Sequence, residues 1–247
     1  MTLELALGGS VVLVTGGGRG VGLGITQAFQ AAGATVVICG RTEVSVGASF
    51  IPCDVRDADQ VDRLISTVAD KFGRLDVVVN NAGGAPAAEA ATVSPRFHSG
   101  VVTLNLLAPL LVAQRANAVM QQQETGGSIV MISSVSGSRP SPGWAAYGAA
   151  KAGLDNLTSS LAVEWAPKVR VNSLVAGMVR TEITEREFGA GVGSTVPLGR
   201  MAEPSEVGAC AVFLASPLAS YVSGAALLVH GGGETAAFTA AMNREKP

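Results

Sequence analysis

The chain has 247 residues, of which 48% are hydrophobic and 15% charged, and its mean hydropathy is +0.39. This composition is sufficient for a large buried core, and the length alone is compatible with one or two domains. The net charge of −2 comes without a basic stripe or a polybasic run, so neither nucleic acid nor an anionic membrane is an expected partner.

The sequence contains no pattern that directs a protein out of the cytoplasm. No basic segment followed by an apolar signal core opens the chain, since Glu4 interrupts the apolar residues between Leu3 and Val14. No apolar run looks long enough to span a bilayer. The three cysteines lack metal-type spacing and are simplest to interpret as reduced thiols: Cys39, Cys53 and Cys210. We therefore expect a soluble, cytoplasmic protein with no metal site.

A glycine-rich loop follows the first predicted strand. The strand is the short apolar run Val11–Val14, of the kind that is buried on both faces of a sheet, and residues 23–32 are predicted to form a helix that stops at Gly33. Between them lies the sequence Thr-Gly-Gly-Gly-Arg-Gly-Val-Gly. A strand, a glycine loop and a helix in this order offer free N–H groups and a helix dipole to a pyrophosphate.

Each of three glycines in this loop suits a different part of such a site. Gly16 suits the tight turn, Gly20 the close approach of the phosphates, and Gly22 the packing of the helix against the strand. The spacing differs from that of the better-known dinucleotide fingerprint, and a glycine-rich turn by itself can be a plain loop. Its position between a strand and a helix favours a dinucleotide site.

The residues that follow the second and third predicted strands bear on the choice of dinucleotide. The second strand, Thr35–Cys39, leads to Arg41, at a point where dinucleotide folds often carry an acid for the adenosine ribose, whereas an arginine suits a 2′-phosphate. NADP(H) is therefore favoured and NAD(H) remains possible, unless Arg41 is only a solvated charge. Asp54 and Val55, after the third strand (Ser49–Cys53), are candidate adenine contacts, although Asp54 could instead cap the next helix.

Helices and strands continue to alternate along the rest of the chain. Apolar spacing predicts helices at residues 57–72 and 101–122, around Tyr147, and from Glu203 onward. Further strands are predicted at Leu75–Val79, Ser128–Ile132, Val169–Val175 and Ala226–Val229. This alternation predicts an α/β fold with a doubly wound parallel sheet and helices on both faces. We find no linker or repeat, so we predict a single domain over residues 1–247.

Polar residues occur where the helices and strands would place a ligand site. Residues 80–84 (Asn-Asn-Ala-Gly-Gly) directly follow a strand, where ligands of doubly wound sheets gather, although such a sequence also suits an ordinary turn. Tyr147 and Lys151 share one helix face at a spacing of four. The lysine ammonium would favour the phenolate and lower the pKa of the tyrosine, which could then exchange a proton with a carbonyl oxygen. A buried tyrosine beside a snorkelling lysine is the alternative.

Together these motifs resemble the short-chain dehydrogenase/reductase family. They are Thr15 to Gly22, Asn80 to Gly83, Ser134 at thirteen residues before Tyr147, and the Tyr147–Lys151 pair. They occur in the family's order and extend over nearly the whole chain. The resemblance implies a Rossmann-type domain that binds a nicotinamide dinucleotide and transfers hydride at a carbinol or carbonyl carbon.

The resemblance also implies roles for individual residues. Tyr147 matches the general acid/base, and Lys151 matches the lysine that holds the nicotinamide ribose and lowers the tyrosine pKa. Ser134 matches the serine that hydrogen-bonds the substrate oxygen. Asn105 matches the asparagine of a water-linked proton relay. The implied cofactor-binding set is Gly16, Arg19, Gly20, Val21, Gly22, Arg41, Asp54, Val55, Asn81, Ala82, Gly83, Tyr147, Lys151, Gly177, Val179 and Thr181.

Three features depart from the family's pattern. The segment Thr42–Ala48 replaces a whole helix between the second and third strands, which reshapes the adenosine rim. Ala176 replaces the proline that normally precedes Gly177, so that loop is expected to be less rigid. His230 stands where the family commonly has Asp, and we expect it to have a structural or subunit-interface role.

The substrate region is expected over residues 83–88, 135–144 and 178–197, with Trp144 and Phe188 as large apolar members and residues 183–197 as a mobile lid. This favours a largely apolar secondary alcohol or ketone, such as a 3-oxoacyl thioester or a steroid-like ketone. Three arginines could receive an anionic carrier or could simply be solvated: Arg139, Arg180 and Arg186.

Family analogy suggests a homotetramer, with a polar tail at residues 239–247 that is frayed or packed on a neighbour. The alternative function is a catalytically silent nucleotide-binding regulator or scaffold on the same fold.

Overall fold

The computed structural model describes Leu5 and residues 7–234, so the predicted tail at residues 239–247 lies outside the described residues. Seven strands form one sheet in the order β3-β2-β1-β4-β5-β6-β7, and every neighbouring pair is parallel. The strands are β1 Val11–Thr15, β2 Thr35–Gly40, β3 Ser49–Pro52, β4 Val77–Asn80, β5 Gly127–Ser134, β6 Val169–Ala176 and β7 Ala226–Val229. The chain reverses direction across the sheet between β1 and β4, and this reversal opens a crevice at the carboxyl ends of the strands.

Helices cover both faces of the sheet, as predicted. They are α1 Gly20–Ala31, α2 Ala58–Phe72, α3 Pro95–Val102, α4 Ala108–Met120, α5 Ala145–Glu164, α6 Glu182–Phe188 and α7 Pro204–Ala215. Successive residues of β1 point to opposite faces, so Leu13 joins the core under α2, α4 and α5, while Val14 joins the core under α1 and α7. The doubly wound α/β prediction is confirmed, and the assignment of residues 1–247 to one domain stays a prediction.

The predicted helix at residues 101–122 begins earlier in the structure and changes its geometry midway. Ser94 caps α3 by accepting a hydrogen bond from the Phe97 N–H, and Pro95 stands in the first turn. A serine followed by a proline is a helix start signal, which apolar spacing alone does not reveal. Between α3 and α4, Thr103–Leu107 forms a π-helical segment that contains Asn105.

By length and composition, the helical run Pro95–Met120 could cross a membrane, contrary to the expectation that no run was long enough. Its inward side chains, among them Val112, Ala116 and Met120, are fully buried in the core beneath the sheet. That packing is typical of a core helix, which passes the same test of length and composition.

Some boundaries of the strands and helices differ from the predictions. β3 ends at Pro52 rather than Cys53, and β4 begins at Val77 rather than Leu75. Asp57, not Asp54, caps α2 by accepting a hydrogen bond from the Gln60 N–H, so the capping alternative for Asp54 is wrong. The region predicted as a lid carries α6 and a 3₁₀ turn, whereas residues 42–48 contain no helix, as predicted.

Candidate functional site

The glycine loop brings backbone, rather than side chains, to the crevice. Gly16 and Gly20 have positive φ angles of 64° and 50°, which favour glycine. A Cβ atom on Gly22 would lie 2.2 Å from the Gly16 carbonyl oxygen, so the first turn of α1 packs directly on the loop. Arg19 is exposed and provides no side-chain cap for α1. The first N–H groups of this helix therefore face the crevice without intrahelical acceptors, as a helix N-terminus that can bind an anion.

Thr15 and Asn81 fasten the glycine loop to the end of β4. The buried Thr15 hydroxyl accepts hydrogen bonds from the Asn81 and Ala82 N–H groups, both at 3.0 Å. The Asn81 side chain donates to the Thr15 carbonyl oxygen at 2.9 Å. The Asn81 amide therefore acts within the protein and fixes the position of the loop. The sequence motif contained Thr15 but did not reveal this role.

The predicted adenosine rim lies at the ends of β2 and β3. Arg41 is exposed there, and Asp54 forms a bidentate ion pair with Arg56 that lowers the pKa of Asp54 to about 2. Val55 is buried behind it. Val44, which the sequence did not single out, folds against the glycine loop: a Cβ atom on Gly18 would lie 2.2 Å from Val44 Cγ2. The short segment after β2 therefore covers the loop, where the family commonly has a helix.

Asn105 is fully buried and holds the loop that follows β4. Its side chain donates to the Gly84 carbonyl oxygen at 3.0 Å and accepts from the Gly84 N–H at 2.8 Å. A third bond, to the Val101 carbonyl oxygen at 2.9 Å, lies within the helix. A Cβ atom on Gly83 would come within 2.8 Å of Asn105 Oδ1 and 3.5 Å of Lys151 Nζ. The structure thus places the Asn105 and Lys151 side chains close to Gly83.

Ser134, Tyr147 and Lys151 converge beside this loop. Ser134 ends β5 and accepts a hydrogen bond from the Ser136 N–H at 3.2 Å. Lys151 is 4% exposed, and its Nζ atom donates to the Ile132 carbonyl oxygen at 2.6 Å while lying 5.6 Å from the centre of the Tyr147 ring. Three of the four predicted catalytic side chains therefore share one site at the carboxyl end of β5, and the fourth, Asn105, lies next to it at Gly83.

The expected effect of Lys151 on the tyrosine is not found in this structure. Burial raises the pKa of Tyr147, and the hydroxyl of Ser134 acts in the opposite direction. The ammonium of Lys151 lies against the ring and bonds to the Ile132 carbonyl oxygen, so the loss of solvent is the larger influence on the phenol. The expectation that Lys151 draws the Tyr147 pKa downward is therefore wrong for this arrangement of the side chains.

Lys151 itself fits a polyhydroxyl partner. Burial lowers the pKa of Lys151 to about 8. An ammonium has three N–H donors, and a buried one needs acceptors for them. The Ile132 carbonyl oxygen accepts from one of these donors. Ribose hydroxyls at the mouth of the crevice would accept from the others, and the glycine loop and the α1 N-terminus would accommodate a pyrophosphate. The residues present thus fit a nicotinamide dinucleotide.

The loop after β6 closes the crevice opposite the glycine loop. The Gly177 N–H donates to the Val229 carbonyl oxygen at 3.0 Å, and a Cβ atom on Gly177 would lie 2.8 Å from His230 Cβ. His230 accepts a hydrogen bond from the Gly232 N–H, so it stabilises this turn from within. Val179 is buried, and Thr181 caps α6 while its methyl group faces Gly20. Of the three predicted residues of this loop, Thr181 therefore lies next to the first turn of α1, and Gly177 packs against His230.

Trp144 joins all three segments predicted to surround the substrate. Its indole N–H donates to the Ala85 carbonyl oxygen at 3.1 Å, and its ring lies 5.4 Å from that of Phe188 in α6. A small recess beside Tyr147 is lined mainly by apolar side chains, including Ala85, Pro86, Phe97, Val101 and Trp144, together with His98. Phe97 and His98 were not predicted to lie here, because only the fold brings α3 to this position.

Two of the three arginines considered for an anionic carrier already have acidic partners. Arg139 pairs with Glu234, and Arg180 pairs with Glu185 and Glu203, whereas Arg186 is exposed on α6. This arrangement favours the solvated interpretation over carrier binding. Within the described ranges, no group of three or more His, Cys, Asp or Glu side chains is placed to hold a metal ion.

Comparisons with known proteins extend over nearly the whole chain. A family model described as enoyl-(acyl carrier protein) reductase matches residues 16–234. The L-fucose dehydrogenase of Bos taurus is 36% identical over 253 residues, covering 95% of this chain and 93% of that protein. A 3-oxoacyl-[acyl-carrier-protein] reductase of Synechocystis sp. is 35% identical over 243 residues, covering 92% and 98%. Ligand-free aldohexose dehydrogenase from Thermoplasma acidophilum has a TM-score of 0.86 at 30% identity, covering 90% and 93%.

Proposed function

The chain belongs to the short-chain dehydrogenase/reductase family, and we propose that it transfers hydride between NADP(H) and a largely apolar secondary alcohol or ketone. The chain is similar to dehydrogenases and reductases over nearly its whole length, so it is an NAD(P)-dependent oxidoreductase that acts on a small molecule. The alternative of a catalytically silent scaffold is therefore set aside. The observation that carries the proposed chemistry is the convergence of Ser134, Tyr147 and the buried Lys151 ammonium beside Gly83.

Each of these side chains has a distinct task in the proposed reaction. The N–H groups at the start of α1 hold the pyrophosphate, and the free N–H donors of Lys151 hold the ribose. The dinucleotide, when bound, supplies the acceptor or donor of the hydride. Ser134 donates a hydrogen bond to the substrate oxygen. In reduction the Tyr147 hydroxyl gives its proton to that oxygen and becomes a phenolate, and in oxidation the phenolate takes the alcohol proton and becomes the hydroxyl again. Asn105 holds the Gly84 backbone that forms one wall of the site.

The preference for NADP(H) over NAD(H) rests on charge at the adenosine rim. Arg41 is exposed at the end of β2, so its guanidinium can reach a 2′-phosphate. The nearby carboxylate of Asp54, which could otherwise compete for it, forms an ion pair with Arg56. Arg19, exposed at the start of α1, adds a second positive charge next to the glycine loop.

The substrate class rests on the lining of the recess beside Tyr147. Relatives are named for L-fucose, aldohexoses and 3-oxoacyl carriers, so the family alone leaves the substrate open. In this chain the recess is walled mainly by apolar side chains, with Trp144 packed on Phe188 of α6. Such a wall suits a largely apolar ketone or alcohol, and a 3-oxoacyl thioester remains one example.

The proposal also includes a homotetramer in the cytoplasm. Large apolar side chains are exposed on α5 and near β7, where Val163 is 80% exposed, Leu228 56% and Tyr221 fully exposed. Exposed apolar residues on neighbouring segments suit a subunit interface, which supports an oligomer built from these elements.

The test of the proposed function replaces Tyr147 with phenylalanine. Tyr147→Phe should still bind NADPH, followed by quenching of the emission of Trp144 and Trp165, because the ring and Lys151 remain. Its turnover of a panel of apolar ketones should fall by at least about 100-fold, since the proton-transferring hydroxyl is gone. Tyr221→Phe is the matched control: Tyr221 does not line the recess beside Tyr147, so loss of its hydroxyl should leave turnover unchanged.

Two results would contradict the proposed function. Substantial turnover by Tyr147→Phe would remove the hydroxyl from the reaction. Failure of the unsubstituted protein to bind either NADPH or NADH would remove the dinucleotide chemistry itself.

A further inference from the structure

Asp155 lies one helical turn beyond Lys151 on α5. The spacing of four places the two side chains on the same face of the helix, with Cβ atoms typically about 5–6 Å apart. Ser173, fully buried on β6, donates a hydrogen bond from its hydroxyl to Asp155 Oδ1 at 2.9 Å. The carboxylate is therefore fastened between α5 and the sheet, on the side where Lys151 is buried.

The surroundings of Lys151 contain very little charge to balance its ammonium. Within the part of the chain that the structure describes, Asp155 is the one charged side chain that acts on the pKa of Lys151. Its other neighbours are neutral: the Ile132 carbonyl oxygen from β5, the Tyr147 ring on α5 and the backbone at Gly83. A buried ammonium without a nearby opposite charge tends to lose its proton.

We propose that Asp155 is a positioning residue for the active site, whose carboxylate keeps the Lys151 ammonium charged at neutral pH. Asp155 need not touch substrate or dinucleotide; it acts through Lys151. Only the consequence for dinucleotide binding rests on the proposed function, because the charge state of Lys151 is a property of the protein alone.

The direction of the effect follows from the two opposing influences on Lys151. Burial lowers the pKa of Lys151 to about 8, and the carboxylate of Asp155 raises it. Removing that carboxylate therefore lowers the pH at which Lys151 loses its proton, by about one unit, which is the low end of the effect of a neighbouring opposite charge. At pH 7–8, a larger fraction of Lys151 would then be neutral and would hold the ribose hydroxyls less well.

The experiment measures the titration of Lys151 directly, in the protein without dinucleotide. The chain has only four lysines, so carbon-13 labelling of the lysine Cε atoms gives few NMR signals, and Lys151→Met identifies the one that belongs to Lys151. The variants are Asp155→Asn, which removes the charge, and Ser173→Ala, which removes the hydrogen bond but keeps the charge. Glu164→Gln is the matched control, because it removes an exposed acid at the end of the same helix.

We expect the midpoint of the Lys151 titration to fall by about one pH unit in Asp155→Asn. In Ser173→Ala and Glu164→Gln, the midpoint should stay within about 0.3 pH unit of its value in the unsubstituted protein. The affinity for NADPH should decline at correspondingly lower pH in Asp155→Asn alone. If Asp155→Asn keeps the original midpoint, or if Ser173→Ala shifts it equally, the residue has a merely structural role and the inference is overturned. Absence of NADPH binding by the unsubstituted protein would refute the proposed function, while the NMR titration would still decide this inference.

Discussion

Replacing Lys151 with methionine should abolish function yet stabilise the protein at neutral pH. Methionine has a similar length and flexibility, but it carries no charge into the buried site. The pKa of Lys151 falls from its ordinary value of 10.5 to about 8, which corresponds to about 3 kcal/mol of unfavourable burial of the ammonium. The substitution also removes the hydrogen bond to the Ile132 carbonyl oxygen, at a cost of about 1 kcal/mol. The net expectation at pH 7 is a gain of about 2 kcal/mol in the free energy of unfolding.

The sign of this gain depends on pH. Below the folded-state pKa of about 8, Lys151 is charged in both states and the fold bears the full cost of burying it. Between pH 8 and 10.5 the folded protein holds the neutral form while the unfolded chain still binds the proton, so the cost declines as the pH rises. Above 10.5 the lysine is neutral in both states, and only the lost hydrogen bond distinguishes the variant.

Urea unfolding of both proteins without dinucleotide, at pH 7 and pH 10, measures this difference. We expect the advantage of Lys151→Met at pH 7 to disappear almost entirely at pH 10. Lys71→Met, at the exposed end of α2, controls for general effects of pH on a lysine substitution. A variant that is less stable than the unsubstituted protein at pH 7, or an advantage that does not change with pH, would refute the reasoning from burial.

Two further substitutions test the dinucleotide site. Arg41→Ala should weaken the binding of NADPH by about 10-fold or more and that of NADH by little, because a charged hydrogen bond to the 2′-phosphate is lost. A fluorescence titration measures both affinities, with Arg96→Ala, an exposed arginine on α3, as the control. Equal effects on both dinucleotides would mean that Arg41 is only a solvated charge. Gly22→Ala should lower the free energy of unfolding and impair binding, because its Cβ atom would lie 2.2 Å from the Gly16 carbonyl oxygen. Gly100→Ala is the control, because a Cβ atom there would meet nothing within 4 Å, and it should leave the free energy of unfolding in urea unchanged or raise it. Equal stability of the two variants would contradict the close packing at Gly22.

Local patterns in the sequence were sufficient for the fold and for the family. Short runs of β-branched residues, such as Val11–Val14, alternate with helical apolar spacing, and a chain of this kind buries its strands only as a parallel sheet between helices. The glycine loop and the Tyr147–Lys151 pair are also local, because their geometry depends on spacings of a few residues. The start of α3 at Ser94 and Pro95 is equally local, but its signal is a capping serine and a proline rather than apolar spacing.

The tertiary structure decided what happens between segments that are distant in sequence. Thr15 and Asn81 are 66 residues apart, and nothing near either one predicts their hydrogen bond. The packing of Val44 against Gly18 likewise depends on the path of a whole segment rather than on a spacing.

The same holds for the charge states of the site. The sequence alone predicts that Lys151 lowers the pKa of Tyr147, but burial raises the pKa of Tyr147. Ser173, on a separate strand, holds Asp155 beside Lys151. Spacing along a helix determines which side chains are neighbours. How much solvent each of them loses, and which distant group reaches it, is determined only when the helix packs against the sheet.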